Sequence, residues 1–182
     1  MIKYIALLRG INVSGQKLIK MAELKLMFEK LGFKNVETYI QSGNVVFSSK
    51  EKNTVSILEV IKSNLFKSFG FEVDVQVLDV EKFKHITQNH IFLDGNQDKT
   101  KAIYYTLLSE KPAIELTLEL NKLNQTTEFF KIEDEVVYCF YPNGYGSSKW
   151  NNVFFEKKLK VSCTTRNYNT MYKLVELSKA ID

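Results

Sequence analysis

The chain has 182 residues, 45% of them hydrophobic and 25% charged, with only two prolines and eight glycines. These values fit one globular domain or two small ones and exclude a low-complexity or disordered chain. A net charge of +4 permits a nucleic-acid partner without requiring one, and no apolar run approaches the roughly 20 residues of a membrane span.

Residues 4–8 read as a buried strand, since they form a short uninterrupted apolar run. The run is too short for a signal peptide, and Arg9 breaks it. A loop over residues 9–17 leads to a helix from about Lys20. Its Leu24, Met27, Phe28 and Leu31 recur at helical spacing, and Gly32 marks its end. Residues 36–40 form a second strand, Gln41-Ser42-Gly43-Asn44 a turn, and residues 45–48 a third strand. Thr54 is placed to cap a second helix carrying Leu58, Ile61, Leu65 and Phe69, which Gly70 ends. Val73, Val75 and Val77 alternate with polar neighbours in a fourth strand.

This order is the ferredoxin-like (α-β plait, βαββαβ) arrangement. Residues 79–100 read as a linker with one short helix near 80–89 and a polar run, Asp94-Gly95-Asn96-Gln97-Asp98. The pattern then recurs as a strand at 102–108, a helix at 112–123 with Pro112 near its first turn, and strands at 127–132 and 136–141. A helix capped by Ser147 or Ser148 runs to about Leu159, and a strand at 161–165 follows. A last helix begins near Asn167, with Met171, Leu174, Val175 and Ser178 on one face. The predicted fold class is α+β: a tandem duplication of ferredoxin-like subdomains, 1–78 and 101–182, the second extended by a C-terminal helix. The order of elements carries this reading; the halves share no pattern of side-chain identity. In the first strand Tyr4, Ala6 and Leu8 face one way and Ile5 and Leu7 the other, so both faces of that sheet are expected to be covered.

Of the twenty-five basic residues, only Arg9 and Arg166 are arginine. The guanidinium offers a planar five-donor fork that lysine cannot copy, so both positions point to an oxyanion, a carboxylate or a carbonyl. In a ferredoxin-like sheet the first and third strands are antiparallel neighbours. Arg9 and Asn12 are therefore expected beside Gln41, Ser42 and Asn44. Such a set suits an anion or polar ligand and is poorly suited to acid–base chemistry near neutral pH. It equally suits a side-chain-to-backbone network fixing two loops. Gly10 and Gly15 have the spacing of a phosphate loop, but Gln16 holds the lysine position and Leu18 the Ser/Thr position.

Arg166 precedes Asn167, Tyr168 and Asn169 at a helix start, where unpaired amides favour an anion. On the alternative reading Asn167 or Thr165 caps the helix and Arg166 pairs with an acidic neighbour. Lys149 and Trp150 close a loop-like stretch over 141–150, which reads as a ligand clasp or as a connection with Trp150 packed inside. His85 and His90 have no partners at metal-ligand spacing, so neither a metal nor a cofactor is expected. No nucleophile motif is present. Cys139 and Cys163 read as buried free thiols in a cytoplasmic protein. Tyr104, Tyr105, Tyr138 and Phe140 on sheet strands raise RNA binding, although residues 45–48 lack the RNA-binding signature of such sheets.

Three segments, residues 6–13, 39–47 and 164–170, resemble the bacterial domain-of-unknown-function family 1697. They read Ala-Leu-Leu-Arg-Gly-Ile-Asn-Val, Tyr-Ile-Gln-Ser-Gly-Asn-Val-Val-Phe and Thr-Thr-Arg-Asn-Tyr-Asn-Thr. The resemblance spans essentially the whole chain; it implies two α-β plait subdomains and no known activity. Ser147 stands where the family often has a basic residue, Asp79 where an arginine often follows the fourth strand, and Tyr168 where tryptophan is frequent. The first two departures remove positive charge and leave Arg9 and Arg166 more isolated.

Three functions are thus compared. The first is binding of an anionic small molecule or partner through Arg9, Asn12, Gln41, Ser42, Asn44, Lys149, Arg166, Asn167 and Asn169. The second is nucleic-acid binding through lysines and sheet aromatics. The third is an enzyme of unidentified reaction, for which no acid, base, nucleophile or metal set is recognisable.

Overall fold

A computed structural model describes residues 1–93, 97–123 and 126–181, so Asp94, Gly95 and Asn96 of the polar run expected in the linker lie outside the described residues. Among the described residues the apolar alternation resolves into two four-stranded antiparallel sheets and six α-helices. The first half runs β1 (Ile2–Leu8), α1 (Met21–Lys30), β2 (Lys34–Tyr39), β3 (Asn44–Ser49), α2 (Thr54–Phe69) and β4 (Val75–Asp79), with sheet order β2-β3-β1-β4. After α3 (Val80–Gln88) the second half runs β5 (Ile103–Leu108), α4 (Ile114–Asn121), β6 (Phe129–Glu133), β7 (Val136–Phe140), α5 (Asn152–Leu159) and β8 (Cys163–Asn167). Its sheet order is β6-β7-β5-β8, and α6 (Tyr168–Ala180) follows. The halves therefore repeat one order of elements and one order of strands. Chain contacts define two compact units, Met1–Lys84 together with the chain from Lys173, and His85–Tyr172.

In the first unit Tyr4, Ala6 and Leu8 of β1 join Val45 and Phe47 of β3 in a core covered by Leu24, Met27 and Phe28 of α1 and Ile57, Ile61 and Leu65 of α2. The Phe47 ring lies 4.6 Å from that of Phe33 and 5.3 Å from that of Phe28, the latter edge-on. Such aromatic pairs add about 0.5–1.5 kcal/mol beyond their buried area. Ile5, Leu7 and Val46, on the other face, are also buried, as the two-sided apolar pattern requires. In the second unit Phe130, Val137, Cys139, Tyr141 and Cys163 pack with Leu120 of α4 and Phe155 and Leu159 of α5. Both thiols are free and buried.

Three local details depart from the sequence reading. Asn53, not Thr54, caps α2: the chain is still extended at Asn53, whose carbonyl oxygen Oδ1 accepts from Val55 N at 2.9 Å and Ser56 N at 3.3 Å. Replacing Asn53 with alanine is expected to cost about 1 kcal/mol, read as a lower urea midpoint with an unchanged slope. Likewise α5 is capped by Asn151, which accepts from Phe154 N at 3.1 Å, and neither Ser147 nor Ser148 does this. Ser148 is buried and holds the loop instead, donating to Glu128 Oε2 at 3.0 Å and accepting from Trp150 N at 3.1 Å. Finally, Lys160 takes a left-handed conformation after α5, and β8 starts only at Cys163, opposite Leu108. Arg166 therefore lies within a strand, opposite Tyr105.

Candidate functional site

The two sheets end in the same way at the tops of β1 and β5. Leu8 N donates to Gly43 O and Arg9 N to Asp74 O, both at 2.8 Å. Leu108 N donates to Glu135 O and Ser109 N to Ser162 O, also at 2.8 Å. Arg9 and Ser109 thus occupy matching backbone positions. The main-chain bonds at this position are the same with either residue.

The loop after Arg9 is built on left-handed turns at Gly10, Asn12, Ser14, Gly15 and Lys17. Asn12 fastens it. Its amide nitrogen donates to Ile19 O at 2.9 Å and to Gln41 O at 2.8 Å, and its Oδ1 accepts from Ile19 N at 2.9 Å. One side chain closes its own loop and staples that loop to the β2–β3 turn. Asn44 is fully buried and fastens the turn in its own way, donating to Tyr39 O and Ser42 Oγ, each at 3.0 Å. The structure therefore brings Arg9, Asn12, Gln41, Ser42 and Asn44 to one end of the first sheet. Within that set the Asn12 and Asn44 amides serve the protein. Arg9 and Ser42 are half-buried, and Gln41 is exposed. Lys17, one place late for a phosphate loop, donates to Glu72 O at 2.7 Å.

The remaining predicted residues belong to the second unit. Arg166 is buried; its Nη1 donates to Thr164 Oγ1 at 2.8 Å and to Thr165 O at 2.9 Å. Burial pulls its pKa down to about 10, which still leaves it cationic near neutrality. Asn167 accepts from Thr170 N at 2.9 Å and so caps α6, while Asn169 is exposed in the first turn. Lys149 is exposed with Nζ 4.8 Å from the centroid of the Trp150 ring, a cation–π contact. Trp150 is packed in the core, and Tyr141 donates to its carbonyl at 2.7 Å. The stretch 141–150 is thus a fastened connection.

Two of the sheet aromatics are covered. Tyr105 and Tyr138 are buried, with the His90 ring edge-on to them at 4.6 and 5.1 Å. Neither ring is open to a nucleobase. His90 is the residue whose importance the sequence did not signal: buried, it approaches Tyr104 O through Nε2 at 3.0 Å and accepts from Phe92 N through Nδ1 at 3.3 Å. That pairing fixes the neutral tautomer with its proton on Nε2, and burial lowers the pKa to about 4. Among the described residues no three His, Cys, Asp or Glu side chains are grouped to hold a metal ion, and no helix is long and apolar enough to cross a membrane.

Over residues 1–138 the sequence matches the family described as Protein of unknown function (DUF1697). The chain belongs to this family. A solved structure similar to it is that of the conserved bacterial protein SP0830 from Streptococcus pneumoniae, at 22% identity with a TM-score of 0.73 over 97% of this chain and 98% of that one. At that identity the likeness is one of fold, and it extends over both halves. No curated protein matches the chain. Membership of DUF1697 brings no activity with it, so a function has to be argued from the side chains.

Proposed function

We propose that this DUF1697 protein is a cytoplasmic tandem of ferredoxin-like units that binds an anionic small ligand or partner at the polar end of its first sheet, with Arg9 as the cation and Gln41 and Ser42 beside it. Support for the tandem reading comes from the repeated strand order and from helices packed on the same relative face in each half. The observation that carries the binding reading is the contrast between Arg9 and Ser109. One fold position makes one set of backbone bonds, yet only the first unit carries an arginine there, on a loop stapled to a polar turn. A guanidinium on a pre-ordered loop loses little freedom when it takes a carboxylate or phosphate. On this reading Asn12 and Asn44 position the loops without touching the ligand.

A thermal-shift panel of phosphate, sulfate, citrate and nucleotides on wild type, Arg9→Lys and Arg9→Gln tests it. An anion present at about 100 times its Kd adds about 2.7 kcal/mol of stability. That gain is expected in wild type, reduced with lysine, which lacks the fork, and absent with glutamine. Equal shifts in wild type and Arg9→Gln would end the proposal. Nucleic-acid binding is the weaker reading, because Tyr105 and Tyr138 lie under His90.

A further inference from the structure

Ile2 and Ser49 mark the end of the first sheet remote from Arg9: β1 pairs Ile2 with Ser49 there and Leu7 with Asn44 at the other end. At this remote end the first unit holds a cleft of about 440 Å³ between the end of α1, the start of β2, the end of β3 and the first turns of α2. Leu31, Phe33, Ile57 and Val60 give it an apolar lining. Phe33 and Ile57 are buried at its base, whereas Val60 is 43% exposed although it faces a cleft. Lys34 and Lys50 line the same space from neighbouring strand ends; Lys34 pairs with Ser48, two residues before Lys50. The acidic residue at the cleft, Glu51, has its Oε1 turned to the backbone, accepting from Lys52 N at 2.8 Å and Asn53 N at 2.7 Å. The first amides of α2 are committed to Asn53. The side-chain cations at the cleft are Lys34 and Lys50, with Met1 also in the lining and Glu51 retaining its own charge.

We propose that this cleft binds a small carboxylate with an apolar tail, the tail against Leu31, Phe33, Ile57 and Val60 and the carboxylate at Lys34 and Lys50. Apolar contact supplies most of the affinity in a site of this size, and a few placed polar groups fix which end of the ligand points out. The two exposed lysines favour a carboxylate over a neutral head group of the same shape by a modest Coulomb attraction. This site is separate from the Arg9 end and does not depend on it.

Titration of the full-length protein with octanoate and with octanamide, followed by amide chemical shifts, tests the assignment. Octanoate is expected to give saturable shifts at Leu31, Phe33 and Val60. Octanamide is expected to bind more weakly. The double substitution Lys34→Gln and Lys50→Gln is expected to weaken octanoate roughly tenfold, the size of two partly exposed charge contacts. Both lysines are exposed, so an unchanged melting temperature is expected for the unliganded variant. Arg9→Gln is expected to leave octanoate binding intact, which separates this site from the proposed anion site. The assignment is overturned if octanamide binds as tightly as octanoate, if the double variant binds octanoate with an unchanged Kd, or if the shifts never saturate.

Discussion

Lowering the pH from about 7 to 4 is expected to remove about 3 kcal/mol of stability through His90 alone. In the unfolded chain an imidazole titrates near 6.5. In the folded protein His90 titrates at about 4, because it is buried and neutral against Tyr105 and Tyr138. The unfolded state therefore binds the proton first. The stabilisation is complete above pH 6.5, falls as the pH drops through this window, and is gone below about 4. The gap of about 2.5 units, at 1.36 kcal/mol per unit, gives the 3 kcal/mol. The Nε2 proton is already used toward Tyr104 O, and Nδ1 is an acceptor for Phe92 N, so a second proton would also break a hydrogen bond. Urea midpoints of wild type and His90→Gln across pH 4–7 measure the effect. Carboxylates titrate in both proteins, so the difference between the two slopes belongs to His90. Identical slopes would refute it, as would an NMR titration in which the His90 ring protonates near 6.5.

Much of this fold is legible because strands and helices impose different periods on the same apolar residues. Tyr4, Ala6 and Leu8 against Ile5 and Leu7 announce a strand covered on both faces, and all five are buried. The strand order follows once two βαββαβ runs are counted, and with it comes the meeting of Arg9 with the Gln41–Asn44 turn. Helix starts are harder to read. Asn53 and Thr54 are both good caps, as are Ser147, Ser148 and Asn151, and the choice depends on where the extended chain first turns, which composition does not encode. The roles of the polar residues are less legible still. The Asn12 amide has the same chemistry whether it meets a ligand or Gln41 O, and only coordinates tell these apart. His90 has no periodic neighbour to mark it as buried. Lys34 and Lys50 come from two strand ends sixteen positions apart in the chain, without a motif to join them.

Gly43→Ala is expected to cost about 2–5 kcal/mol, the largest effect of an added methyl group at the glycines near the Arg9 site. Two separate causes add here. Gly43 has φ of +74°, where an L-residue costs about 1–2 kcal/mol. A Cβ there would also sit 2.7 Å from Leu8 Cβ and 2.7 Å from Ile11 Cδ1, and both of those side chains are buried. Forcing a methyl into a packed position costs about 1–3 kcal/mol. Gly15 separates the two causes. It has nearly the same φ, +73°, but open space around its Cβ position, so Gly15→Ala is expected to show the backbone cost alone. Denaturant unfolding of the two variants should therefore differ by the packing cost. Gly43 also accepts from Leu8 N, the residue before Arg9, so relief of the clash must shift the β2–β3 turn relative to the guanidinium. The Gly43→Ala protein is accordingly expected to lose the anion-induced thermal shift, and Gly15→Ala to keep most of it. If Gly43→Ala costs no more than Gly15→Ala, the tight approach of turn and loop is not what orders this end of the sheet.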